Sequence, residues 1–103
     1  MKFVCGECGT DVTGRKDAII HVHHHDISVA RSMRQVQPGA SDIAEWKIHC
    51  VDCAPDGDEC FCYWISMDRM ATAEDVLART THLMKKDWLK LTNWHEVIED
   101  AST

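Results

Sequence analysis

Six cysteines stand in this chain, and four of them fall into two pairs, Cys5-Gly6-Glu7-Cys8 and Cys50-Val51-Asp52-Cys53. The C-x-x-C spacing lets two thiolates from one tight turn chelate a single metal ion, and two such knuckles complete the closed tetrahedral site of a structural zinc. The 41 residues between Cys8 and Cys50 are no obstacle, because such sites are built from separate turns brought together by the fold. The expected ligand set is Cys5, Cys8, Cys50 and Cys53. His49 offers an alternative to Cys50, since the two residues precede Cys53 side by side and point to opposite faces of a strand entering a turn. The C-x-x-C turn is the commoner zinc geometry and favours Cys50. An all-cysteine site carries a formal charge of −2, and Lys2 and Lys47 are near enough in sequence to offset it. Neither pair opens a helix in a βαβ setting, so a redox role is the weaker reading.

Two further groups bear on chemistry. In His21-Val22-His23-His24-His25-Asp26 an uninterrupted strand would set His21, His23 and His25 on one face beside Asp26, a possible second metal site weighed against plain solvated histidines. Cys60 and Cys62 share a strand face in the same way, with core packing as the simpler role. The His24-His25 pair between two cysteine knuckles resembles the metal-dependent nucleases of the HNH class, which implies water activation and a divalent cation on a phosphate. That class continues past the second knuckle with Asn or His and then Lys, where this chain has Ala54-Pro55-Asp56. The resemblance therefore implies a degenerate relative. No glycine-rich phosphate loop is present.

The whole chain constrains these options. Its 103 residues fit one domain, small enough to gain from a metal staple. The 45% hydrophobic and 27% charged content is that of a globular protein. A net charge of −6 disfavours wrapping duplex DNA, although the acid is concentrated after residue 53. Arg15, Lys16, Arg31 and Arg34 in the first half are the candidate nucleic-acid patch. No apolar run reaches the length of a membrane span. Met1-Lys2-Phe3-Val4 runs straight into the first knuckle, leaving no room for a signal peptide, so the expected location is the cytoplasm with reduced cysteines.

The elements that must position the cysteines follow from local pattern. Residues 2–4 read as a short strand into the first knuckle, with Gly6 and Gly9 supplying positive φ, and residues 10–17 read as a turn. Ala18-Ile19-Ile20-His21-Val22-His23 is a β-branched strand. Residues 26–37 carry a weak helical face of Ile27, Val29, Met33 and Val36, stopped by Pro38-Gly39. Trp46-Lys47-Ile48-His49 is a second strand that delivers the second knuckle. Residues 60–66 form a third, with Phe61, Tyr63 and Ile65 on one face and Cys60, Cys62 and Trp64 on the other. Thr72-Ala73-Glu74-Asp75 opens a helix whose repeating positions are Ala73, Val76, Leu77, Thr80, Leu83 and Met84, and a second short helix begins after Thr92. Trp88, Trp94, Leu83, Met84 and Leu91 are expected to close the core, with His82 and His95 at polar helix edges.

Trp46-Lys47-Ile48-His49, Cys53-Ala54-Pro55, Tyr63-Trp64-Ile65 and Asp68-Arg69-Met70 resemble a group of uncharacterised small zinc-ribbon-like proteins of actinobacteria and actinobacteriophages. So does the tail His82-Leu83-Met84-Lys85-Lys86-Asp87-Trp88, continued by Thr92-Asn93-Trp94. The resemblance implies origin and fold rather than an activity, and in that group the histidine and final cysteine of the second knuckle are the more regular ligands. The expectation is an α+β protein: knuckles and a small antiparallel zinc-ribbon-like sheet over residues 1–67, and a helical cap over residues 68–103. Its expected role is a non-enzymatic, zinc-stabilised binding module with a protein partner, using the acidic C-terminal surface.

Overall fold

The computed structural model describes residues 1–53 and 63–102. It has three α-helices and a three-stranded antiparallel sheet, the mixed α+β class expected. Strand β1 (Ile19–Val22) is central, flanked by β2 (Lys47–His49) and β3 (Tyr63–Ser66). Ile20 lies opposite Ile48 on one side and Ile65 on the other. Strand alternation then places Ile20, Val22, Ile48, Tyr63 and Ile65 on the core face. The other face carries the row Lys47, His21 and Trp64.

Between β1 and β2 the chain forms α1 (His24–Val36). Asp26 in its first turn complements the positive end of the helix, and the helix stops because Gln37 precedes Pro38. Gln37 is extended, at φ −138° and ψ 94°. Two expectations fail here. The chain leaves strand geometry after Val22, so His25 sits on the helix and not on a strand face with His21 and His23. Of the expected apolar face only Ile27 is buried, together with Ala30. Val29, Met33 and Val36 are exposed because their 100° spacing carries them to the side away from the sheet.

After β3 a short 3₁₀ turn (Met67–Met70) leads to α2 (Ala73–Leu83). The predicted capping box is formed: Asp75 N–H donates to Thr72 Oγ1 at 3.1 Å and Thr72 N–H to Asp75 Oδ2 at 3.3 Å. Val76 and Leu83 are buried, whereas Leu77 and Met84 are 67% and 66% exposed and take no part in closing the core. A second 3₁₀ turn (Leu89–Leu91) precedes α3 (Trp94–Ala101).

The C-terminal elements are tied to the N-terminal half by specific bonds. Ala44 N–H donates to Leu91 O, Trp46 N–H to Asn93 Oδ1 and Lys2 N–H to Ala101 O. Trp94 is fully buried, and its indole N–H donates to Thr80 Oγ1 at 3.0 Å. Trp46 donates to Thr92 Oγ1 at 2.9 Å and packs edge-on to Trp94 at 4.9 Å. Burying each indole with its N–H bonded keeps the apolar gain without an unpaired donor. Trp88 is half-buried and completes the cluster against Trp46 and Tyr63. The expected alternation is seen over the described part of the strand, with Tyr63 and Ile65 on the core face and Trp64 on the other, 62% exposed. Phe61, Cys60 and Cys62 lie outside the described residues.

Candidate metal centre

The first knuckle is the tip of a minimal hairpin. Val4 bridges Asp11, Cys5 N–H donates to Thr10 O at 2.8 Å and Val12 N–H to Phe3 O at 2.9 Å. Gly9 adopts φ 75°, a conformation that favours glycine, and donates to Cys5 O. Gly6, also expected at positive φ, is not in that region. A Cβ there would lie 3.5 Å from Ile48 O, an ordinary contact, so neither φ nor space demands glycine at this position. The Gly6 N–H donates to that same carbonyl at 2.8 Å and joins the first knuckle to β2. The second knuckle leaves the end of β2 as a turn closed by Cys53 N–H to Cys50 O at 3.1 Å.

These two turns bring Cys5, Cys8, Cys50 and Cys53 together, with their sulfur atoms all within 4.8 Å of one another. Cys8 Sγ and Cys50 Sγ are 3.6 Å apart. Four sulfurs each about 2.3 Å from a tetrahedral zinc would be separated by about 3.8 Å, so the spacing fits one such ion. Cys5 and Cys50 are buried, Cys53 is partly covered and Cys8 is exposed. Among the described residues this is the one group of three or more potential ligands so placed.

The electrostatics of the metal-free cluster are those of thiols sharing protons. The Cys5 thiol is drawn down to about 6, first by the Cys50 backbone N–H and then by that of Cys8. Cys8 is lowered by the Thr10 hydroxyl and backbone N–H. Cys53 is pushed far up, because its thiol proton bonds to Cys50 and Cys8 and four adjacent thiolates would repel. A divalent cation held by Cys5, Cys8, Cys50 and Cys53 would replace those protons and remove the repulsion.

His49 is not a member of the thiol group. It is buried, its Nδ1 has no hydrogen-bond partner among the described residues, and it stacks on His21 with ring centroids 4.9 Å apart. His21 is also buried, its Nε2 without a partner among the described residues, and His23 meets it edge-on at 5.4 Å. Burial, followed by the neighbouring His49, His23 and Lys47, lowers His21 to about 4, so it is neutral at physiological pH. Leaving a buried polar nitrogen unpaired costs about 1–3 kcal/mol. Sequence reading did not find this pair, because only the β1–β2 register, Ile19 opposite His49 and His21 opposite Lys47, makes the two rings neighbours.

The remaining sequence candidates do not assemble into a site. His24 and His25 are exposed in the first turn of α1, where His24 approaches the edge of Trp88. Arg15 is paired with Asp17 at 3.0 Å and Arg31 with Asp87 at 3.3 Å, while Arg34 donates to the carbonyls of Ala30 and Asp42. The proposed basic patch is thus largely engaged within the chain. Among the described residues no helix is long and apolar enough to cross a membrane. No protein-family model matches this chain, and no curated protein or solved structure is significantly similar to it.

Proposed function

We propose that the protein is a non-enzymatic zinc-binding module in which one Zn²⁺, held by Cys5, Cys8, Cys50 and Cys53, fastens the N-terminal hairpin to the end of β2. The observation that carries this reading is the convergence of four thiols from two separate turns within 4.8 Å. A structural role is supported by the donor set, which uses four protein ligands and leaves no position for substrate. The ion would act by closing the chain on itself, adding to the Gly6 N–H to Ile48 O bond that joins the first knuckle to β2.

The surface for a protein partner is the C-terminal one. Glu96 and Glu99 of α3 are exposed, as are Leu77 of α2 and Met84 at its C-cap, so the C-terminal elements offer both acid and apolar surface. The resemblance of the tail motif supports an origin in an actinobacterium or one of its phages, where the module would serve as an accessory or host-interacting protein of the cytoplasm. Elemental analysis of the purified protein tests the metal: about one zinc per chain is expected, and a metal-free, folded protein overturns the reading. For the partner surface, a Leu77→Glu/Met84→Glu double variant keeps its melting point and loses capture by the partner; capture unchanged removes this surface from the proposal.

A further inference from the structure

The 3₁₀ turn Met67–Met70 and α2 enclose an open cleft of about 420 Å³, lined by Arg69, Asp75, Ala78, Arg79 and His82. The chain has five arginines. Arg15, Arg31 and Arg34 are each engaged by a carboxylate or by backbone carbonyls. The two without a hydrogen-bond or ion-pair partner among the described residues, Arg69 and Arg79, line this one cleft. Arg79 is half-buried, where a guanidinium with no partner among the described residues is the more costly.

The lining sets one carboxylate, that of Asp75, against the two guanidinium groups. Asp75 lies four residues before Arg79, the spacing of a helical ion pair, but its Oδ2 accepts the Thr72 N–H in the capping box. Asp68, beside Arg69, accepts the Ser66 hydroxyl. Two guanidinium groups, each with five N–H donors in a planar fork, thus outnumber the single lining carboxylate in a space they share with His82.

From this juxtaposition we infer that the cleft binds the phosphate of a small phosphomonoester. Guanidinium forks match the oxygens of a phosphate dianion and hold it by paired, charge-assisted hydrogen bonds. The volume is within the range of small-molecule sites and exceeds a bare phosphate, leaving room for an organic group against Ala78. A long polyanion is disfavoured, because beyond the cleft it meets a chain of net charge −6 with Glu74 exposed on the same helix. This site is independent of the thiol cluster and of the partner surface.

The test is titration of the full-length, zinc-supplemented protein with inorganic phosphate, ribose 5-phosphate, adenosine 5′-monophosphate, adenosine and a short single-stranded oligonucleotide at physiological salt. Backbone amides and arginine Nε–Hε signals are followed by NMR. At least one phosphomonoester should bind with a dissociation constant below about 1 mM and shift the Arg69 and Arg79 signals. Inorganic phosphate should bind at least tenfold more weakly, and adenosine should not compete. Arg69→Gln and Arg79→Gln should each weaken binding at least tenfold, the loss of one charge-assisted contact, with unchanged amide spectra elsewhere; Arg15→Gln should bind like the parent. The inference is overturned if no monoester saturates, if phosphate binds as tightly as the monoesters, if the oligonucleotide is preferred, or if either cleft variant binds normally.

Discussion

Stripping the metal from this protein should lower its melting temperature by about 18 °C. An ion bridging the two knuckles closes a chain segment with 41 residues between Cys8 and Cys50. The loop-closure relation used for cross-linked chains gives an entropy of about 13 cal/mol/K for that length, or about 4 kcal/mol at 25 °C. Unfolding entropy near 2.1 cal/mol/K per residue amounts to roughly 220 cal/mol/K for this chain, and the ratio is the shift stated. The assay is differential scanning calorimetry under reducing conditions, comparing zinc-loaded protein with protein treated with excess chelator and re-loaded protein. Fully buried Trp94 gives a parallel fluorescence readout of the same transition. A chelator-induced change below about 5 °C, with the metal shown to be gone, would mean that the sheet and the aromatic cluster hold the knuckles without help and that the loop-closure reasoning is wrong.

The other outcomes are more local. Cys50→Ser should reduce zinc retention by at least tenfold in competition with a chromogenic chelator while His49→Ala retains about one ion per chain; the reverse pattern would install His49 as the ligand. His21 is held neutral, with its value lowered from 6.5 to about 4. The unfolded chain therefore takes up this proton first, so the stability contribution is complete above pH 6.5 and lost as pH falls toward 4. The loss is roughly 3 kcal/mol at 1.36 kcal/mol per unit. Denaturant melts across that window should show a shallower decline in His21→Phe than in the parent, and parallel declines would refute it; metal loss at low pH is common to both proteins. Thr72→Ala should cost about 1 kcal/mol by removing the cap of α2, read as a reduced denaturation midpoint at unchanged slope; an unchanged midpoint would show that the capping box contributes nothing.

Local signals made much of the architecture legible. The β-branched run at Ile19-Ile20, the box Thr72 to Asp75 and the stop before Pro38 each act within a few residues, and each element stands where those signals put it. The helical faces were less legible. Val29, Met33, Val36, Leu77 and Met84 have the spacing of a core face and are exposed. Periodicity says which residues share a side of a helix, but the neighbouring elements choose the side that is covered. The histidine run misled for a related reason: the chain turns from strand to helix within it, and a period of two does not survive that change.

The four cysteines are where sequence and tertiary structure divide most clearly. Spacing alone determined that each pair forms a chelating turn, because a C-x-x-C geometry is fixed by four consecutive residues. It left Cys50 and His49 in contest for the second knuckle. Their positions relative to Cys5 and Cys8 depend on contacts across more than forty residues: the Gly6 to Ile48 hydrogen bond, the antiparallel register of β1 and β2, and the turn at Cys53. Those contacts bring the Cys50 sulfur to 3.6 Å from that of Cys8 and turn His49 away to stack on His21. Long-range register is set by the packing of both sheet faces at once, and no local window contains that information.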